Sequence, residues 1–413
     1  MAQMLHPFVG SMANLFMSVG AFLVILTIVV TIHELGHFLV ARGFGVAVDR
    51  FAIGFGRPLW TRVDRSGVEW RIGWLPLGGY VRFAGDADPS SSVPDAEDLD
   101  DLRDQIIRKQ GPDAINRYFH FKPIWQRALV VAAGPAANFV LSIFLFAIFA
   151  SAVGVNTVSP RVGAVLAGSP AAQAGLAPGD LITSVDQRPV ADFKDLVEYV
   201  HLRAGETLEI TYLRNGAARV THATPLRVTQ RDELTGRTMQ VGQIGLAPSR
   251  HPQDYVQSRL GPIAAVGWGV HETWDIVATT VTYLSRIVTG KESPTQLSSF
   301  LGMAQTAGAV AKAGADSAPD LLGKAGGVAV NLLSFAALVS TAVGFMNLLP
   351  VPVLDGGHLL FYGYEALAQR PVGAKVQAAS YRIGLALLLG LMLFATWNDL
   401  QQRSVFNLLG FTS

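Results

Sequence analysis

His33, Glu34 and His37 stand in "TIHELGHF", at the end of an apolar run that starts at Pro7 and carries no charge through Ile32. Two histidines four residues apart on a helix share one face and can bind one metal ion. Glu34 is next to His33 but off that line, where a general base can reach a metal-held water without being a ligand. Zn²⁺ lowers the pKa of water from about 15.7 to about 7, which makes hydrolysis at neutral pH accessible. Ionisable groups inside a bilayer are costly, and they mark function unless a partner explains them. A hydrolytic zinc site usually takes three protein ligands, and the chain has no cysteine. The third ligand must then be His, Asp or Glu. In "NLLPVPVLDGGH", Asp355 is the first charge after a second apolar run, and Pro350 and Pro352 interrupt the helix just before it. We expect zinc on His33, His37 and Asp355, with Glu34 catalytic. The competing third ligand is His358, and the competing role for Asp355 is a cap on the segment that begins at Gly356.

The surrounding chain must put these groups together in an apolar medium. Of 413 residues, half are hydrophobic and 15% are charged, with mean hydropathy +0.35. This is too apolar for an ordinary soluble protein. A net charge of +1 argues against a nucleic-acid partner held by a basic surface. Four stretches approach or exceed the roughly 20 apolar residues that cross a bilayer: Pro7–Ile32, Ala128–Ser159, Ala325–Leu354 and Val376–Trp397, the last interrupted by Arg382. The first is too long for a cleaved signal peptide, and no cleavage site follows it. Arg42, Arg50, Arg57, Arg62, Lys122, Arg127, Arg370 and Lys375 flank these helices on one side, which the positive-inside rule assigns to the cytoplasm. Both termini and the 161–324 segment then lie outside it, in the periplasm of a bacterial cell. The expected location is the bacterial inner membrane, multi-pass, with the site near the cytoplasmic face.

The organisation we expect runs as follows. Residues 1–42 form the first helix. Residues 43–126 form a membrane-associated β-loop, from "VAVDRFAIGFG" and "VEWRIGWLPLGGYVRFAGD", and then a flexible acidic loop, "DADPSSSVPDAEDLDDLRDQ". Residues 127–157 form the second helix. Residues 158–248 form a compact α+β domain with a hairpin turning at Asn215-Gly216. Residues 249–324 form an amphipathic segment, partly helical, lying on the membrane surface. Residues 325–413 hold the third and fourth helices and the tail. The fold class is thus a polytopic α-helical membrane protein with four transmembrane helices, a cytoplasmic membrane-associated β-hairpin or sheet, and a periplasmic α+β domain.

The HExxH of the first helix and "NLLPVPVLDGG" of the third resemble the site-2 protease family of intramembrane zinc metalloproteases, most closely its bacterial regulator of sigma-E protease branch. "GFG" at Gly54–Gly56, "LPLGGYVRFAGD" and "AAGPAANF" agree, and "SPAAQAGLAPGDLITSVDQRPV" resembles a PDZ domain. The resemblance implies zinc on His33, His37 and Asp355, catalysis by Glu34, and Asn138 and Asn347 in the cleft or on substrate. It also implies a β-loop that enters the membrane and offers an edge strand, which nominates Gly78, Gly79 and Tyr80 for substrate binding. The asparagines are equally explained as hydrogen-bond glue between helices. Implied partners are single-span membrane proteins (an anti-sigma factor or signal-peptide remnants), membrane lipid, and a peptide C-terminus at the PDZ-like domain, with a size filter on entry. Two other readings stay open: a catalytically silent PDZ adaptor, and a zinc hydrolase acting on a lipid or a prenylated peptide. The chain departs from the family pattern in having one PDZ-like segment where well-known members have two, and in reading Leu297-Ser298-Ser299-Phe300 where relatives tend to read "LSGP".

Overall fold

The computed structural model describes residues 2–85, 96–232, 236, 238–294 and 297–402. In chain order the elements are α1 (Ala2–Gly43), β1 (Val48–Val63), β2 (Glu69–Phe83), α2 (Ala96–Gln110), α3 (Ile124–Ala152), β3 (Val155–Val158), β4 (Val162–Val165), α4 (Pro170–Gln173), β5 (Leu181–Val185) and β6 (Arg188–Pro189). There follow α5 (Phe193–His201), β7 (Leu208–Arg214), β8 (Ala217–Ala223), β9 (Leu226–Arg231), β10 (Thr238–Gln243), β11 (Leu246–Pro248) and β12 (Tyr255–Ser258). The chain ends with α6 (Pro262–Val288), α7 (Phe300–Asp316), α8 (Leu321–Asn347), α9 (Asp355–Ala368) and α10 (Ala374–Gln402). These elements divide into a helical unit (1–146, 268–278 and 298–413) and a β-rich unit (147–267 and 279–297).

In the helical unit, four helices are long and apolar enough to cross a membrane: Met17–Gly43, Ile124–Ala152, Leu321–Asn347 and Ala374–Gln401. At 1.5 Å per residue each exceeds the roughly 30 Å hydrocarbon core. Val24, Val140, Phe144, Leu338, Ile383 and Leu393 point outward from them. A water-soluble surface rarely carries so continuous an apolar face, whereas lipid requires one. Between helices the contacts are of two kinds. Ile25 and Val29 of α1 pack with Ala336 and Val339 of α8. Ser142 Oγ donates to the Ala337 carbonyl at 3.0 Å and lies 2.6 Å from Thr341 Oγ1, which ties α3 to α8 where no water competes.

Two stretches differ from what composition implied. Residues 86–95 of the acidic stretch lie outside the described residues, but Ala96–Gln110 is a helix, not a flexible loop. Leu102 and Ile106, four apart, pack with Ala114 and Tyr118, and this short apolar stripe is diluted by the acidic residues around it. The stretch 249–324 is not one surface-lying segment. Its α7 packs against α1 and α8, burying Gly302, Ala304, Ala307, Gly308, Ala311 and Gly314. Small residues at helical spacing let backbones approach closely. Ser299, in the segment that departs from the family pattern, caps α7 through its side chain. Asp399 of α10 accepts hydrogen bonds from Ser299 N (2.8 Å), Ser299 Oγ (2.6 Å) and Gly302 N (3.1 Å).

In the β-loop, the ladder is deeper than one hairpin. Arg50–Ile53 pair on both sides, with Glu69–Ile72 on one and with Gly79–Arg82 on the other. Glu69–Ile72 pair also with Trp60–Val63. Gly79–Val81 therefore lies at the side of the ladder away from Glu69–Ile72, with Arg50–Ile53 between them.

The β-rich unit holds a four-stranded sheet in the order β6-β5-β7-β8, flanked by the pairs β4–β11, β9–β10 and β3–β12. Its core includes Ile182, Leu196, Leu208 and Ile210. The β7–β8 hairpin turns at Asn215-Gly216 as expected, both residues at positive φ. Asp192 and Asp195 form a reciprocal capping box at the start of α5. Buried Asp180 takes a two-pronged hydrogen bond from Arg214, 2.7 Å on each oxygen, and another from Ala177 N. Burial works against its charge, but these donors win and hold its carboxyl below the usual carboxylate range. A carboxyl depressed on folding stabilises above its unfolded pKa of about 3.9 and loses that contribution as pH falls through this value toward the folded one. Hydrogen-exchange protection at Ile182 and Ile210 should therefore fall below about pH 4 in the wild type. Asp180→Asn should start lower and vary less with pH. Parallel profiles for the two proteins would show that the pair contributes nothing.

Candidate metal centre

Helix α1 carries His33 and His37 on one face, with ring centroids 4.8 Å apart and nearly perpendicular. Asp355 reaches them from the first turn of α9. His33 Nε2 and His37 Nε2 are 3.2 Å apart, and Asp355 Oδ2 is 3.1 Å from the first and 3.6 Å from the second. A tetrahedral zinc ion with bonds of about 2.0–2.1 Å needs its donor atoms about 3.3 Å apart. Despite these short separations, buried Asp355 Oδ2 has no hydrogen-bond partner among the described residues. The three donor atoms converge on a common point, and N, N, O is a donor set that suits zinc. They form the one group of at least three His, Asp or Glu among the described residues with ligand atoms within 4.8 Å of one another.

The backbone explains the convergence. Helix α8 ends at Asn347, and residues 348–354 fold back so tightly that any Cβ at Gly356 or Gly357 would strike the carbonyls of Leu348, Leu349 or Val351. "LDGG" is thus the sequence that lets α9 start beside α1. Asp355 does not cap that helix. The N-cap is Leu354, and no side chain bonds the first turn.

From α3, Pro135 lacks the N–H that would bond Val131 and loosens that turn. The adjacent Val130 carbonyl accepts the Nδ1–H of His37 at 2.8 Å, which leaves His37 Nε2 as a lone pair. Gly134 lies under both imidazoles, and any side chain there would strike the His37 ring. The Val81 backbone amide donates to the Glu34 carboxylate, and Gly79, two residues before it, faces Glu34 Cγ.

The family model of peptidase family M50 matches residues 21–391. The chain belongs to that family. It is 47% identical to the metalloprotease MmpA of Caulobacter vibrioides over 388 residues, covering 94% of this chain and 96% of that one. It is 39% identical to a putative zinc metalloprotease of Rhizobium meliloti, covering 94% and 97%, and 41% identical to one of Mesorhizobium japonicum, covering 92% and 97%. Among solved structures, the PDZ domain of an SdrC-like protein from Listeria monocytogenes overlaps 22% of this chain and 86% of its own at 25% identity, with a TM-score of 0.18. The M50 chain is therefore a zinc metalloprotease of the site-2 type, with Zn²⁺ as its cofactor. Family and apolar helices together make it a membrane protein.

Other expected site residues fall differently. Asn138 is not open to substrate: it is fully buried, and its amide nitrogen lies 3.1 Å from His33 Nδ1. Asn347 is the half-buried last residue of α8. His358, the competing ligand, is engaged by the Tyr381 hydroxyl at 3.1 Å and stands outside the ligand group. Tyr80 stacks on Phe55 and its hydroxyl accepts a long hydrogen bond from Arg50. Val130, Gly134 and Val81 join the site without having been expected there. The "GP" at Gly134-Pro135 was the available signal for the first two, whereas a backbone amide such as Val81 leaves none.

Zinc content, measured by mass spectrometry on purified protein, should be one per chain in the wild type and in Glu34→Gln. Asp355→Ala and Gly134→Val should each weaken zinc binding by more than the roughly 10- to 100-fold that outer-shell changes cost. Full zinc in Asp355→Ala would remove that carboxylate from the ligand set.

Proposed function

We propose that this M50 metalloprotease cuts peptide bonds inside the membrane-spanning segments of single-span proteins, as a step of regulated intramembrane proteolysis or of signal-peptide clearance. His33, His37 and Asp355 hold the zinc ion, which when bound makes water acidic enough to attack at neutral pH and polarises the scissile carbonyl. Glu34 takes the proton of the attacking water on its carboxylate and passes it to the leaving amide nitrogen. The active site lies toward the cytoplasmic face of a bacterial inner membrane, and the β-rich unit is periplasmic. The arginines and lysines flanking the helices support that orientation.

The observation that carries this reading is the edge strand beside the base. A substrate helix has all its backbone amides paired and must be opened before attack, and an exposed strand edge supplies replacement hydrogen bonds. Ala84 N donates inward to Ala47 O, so Phe83, Val81 and Gly79 face the other way, and Val81 N meets Glu34. A Cβ at Gly79 would come within 2.7 Å of Ala52 O, so this stretch keeps the flat, bare backbone that a pairing strand needs. Of Gly78, Gly79 and Tyr80, Gly79 then offers the outward backbone to substrate while Tyr80 pairs inward with Ala52, and the exposed Phe55, Leu59, Trp60 and Trp74 anchor the loop in lipid. In the β-rich unit, a groove between α5 and the stretch 242–246 is lined by Phe193, Leu196, Val197, Val200, Ile244 and Leu246. This supports capture of a peptide C-terminus with an apolar last residue.

The deciding experiment is incubation of a tagged single-span substrate with wild type and Glu34→Gln in detergent, with the products mapped by mass spectrometry. Cleavage within the apolar segment by the wild type alone is expected. An intact substrate would favour the adaptor, and released acyl or prenyl products would favour the lipid hydrolase. Val81→Pro, which deletes the outward amide that meets Glu34 and touches no zinc ligand, should lower cleavage roughly tenfold or more while zinc stays stoichiometric. A wild-type rate would reduce the strand to a membrane anchor. For the groove, a peptide ending in a free carboxylate should bind more tightly than its amidated form by fluorescence anisotropy, and equal binding would exclude C-terminal capture.

A further inference from the structure

The two histidine ligands are not held alike. His37 Nδ1 faces a backbone carbonyl, which can only accept, so its tautomer is fixed with Nε2 free. His33 Nδ1 faces the side-chain amide of Asn138, which offers a donor on one side and an acceptor on the other. With the amide nitrogen toward the ring, Nδ1 accepts, and the imidazole hydrogen is driven to Nε2, where it blocks ligation. With the amide oxygen toward the ring, Nδ1–H donates and Nε2 is a lone pair. A half-turn about the Cβ–Cγ bond interchanges these arrangements with almost no change of shape. Asn138 is fully buried, and its Oδ1 has no hydrogen-bond partner among the described residues. An orphaned buried carbonyl oxygen is costly, and the His33 Nδ1–H would satisfy it. The backbone is pinned in place, since Ser340 Oγ of α8 donates to the Asn138 carbonyl at 2.8 Å. Asn138 and Gly134, one turn apart on α3, thus face the same histidine pair.

We propose that Asn138 is a positioning residue for the metal centre: its amide oxygen accepts the Nδ1–H of His33 and so keeps Nε2 available as a ligand. The role rests on His33 holding the zinc, as proposed above. Outer partners of this kind fix ring orientation and raise ligand basicity, and losing one typically costs 10- to 100-fold in metal affinity.

The test is a zinc competition titration of the full-length chain against a chromophoric chelator, with the Co²⁺ visible spectrum as a second readout, on wild type, Asn138→Leu, Asn138→Asp and His33→Ala. Asn138→Leu, of similar size but without an acceptor, should bind zinc about 10- to 100-fold more weakly and shift the Co²⁺ bands. Asn138→Asp, which can only accept at that atom, should bind at least as tightly as wild type. Wild-type zinc affinity in Asn138→Leu overturns the proposal, and a raised KM with unchanged zinc affinity would return Asn138 to a substrate-contact role. If Asn138→Leu does not fold, Asn138→Asp decides alone, and weaker binding than wild type overturns the proposal. Retained zinc in His33→Ala would instead overturn the ligand assignment itself, so the two failures are distinguishable.

Discussion

Two imidazoles and a carboxylate brought within 3.1–3.6 Å of one another at the end of an apolar helix are the constraint on which the helical unit depends. Leaving such groups unsolvated and unpaired in hydrocarbon costs several kcal/mol each. A divalent cation removes that cost for all three at once, because it turns converging lone pairs from a repulsive set into a coordination shell. The chain must then hold two elements far apart in sequence in one geometry, with residue 33 on one and residue 355 on the other. Helix α1 fixes the histidines by its own periodicity. The tight return after α8 fixes the carboxylate, and only a Gly-Gly pair admits that return.

Helix α3 completes the arrangement from the opposite side. Gly134 makes room for the rings, Val130 orients one of them, and Asn138 lies against the other. Behind this layer, the buried hydroxyls of Ser142, Ser340 and Thr341 bond across to α3 or α8, and the small residues of α7 let it pack against α1 and α8. Polar contacts here have no water to compete with them, so a few suffice to fix the register of helices whose other contacts are nonspecific apolar packing. The proposed base, Glu34, is held differently, by a strand: the Val81 amide meets its carboxylate, so in the proposed function a peptide pairing beside Val81 would lie next to it.

Much of this site was legible in the sequence, because its chemistry follows short-range periodicity. His33 and His37 announce themselves by four-residue spacing, and Asp355 by a charge after an apolar run. The four helices long and apolar enough to cross a membrane follow from length and hydropathy, and the Asn215-Gly216 turn from backbone preference. What escaped was set by partners distant in sequence. Nothing local says that the Val130 carbonyl, the Val81 amide or the Asn138 amide faces a histidine or a glutamate. Helix α2 was hidden because Leu102 and Ile106 are outnumbered by acidic neighbours. Helix α7 was hidden because a stripe of Gly and Ala carries little hydropathy and packs by closeness, not by bulk. The double pairing of Arg50–Ile53 was hidden because period-two alternation reports the faces of a sheet but not which strand lies at its edge.

Zinc K-edge X-ray absorption on the purified wild-type chain tests the metal centre most directly. Zinc held by His33, His37 and Asp355 should give a shell of nitrogen and oxygen donors at about 2.0–2.1 Å, with multiple scattering from two imidazoles. A spectrum that needs three imidazoles would bring His358 into the shell in place of Asp355, and a spectrum with one or none would contradict the His33–His37 pair.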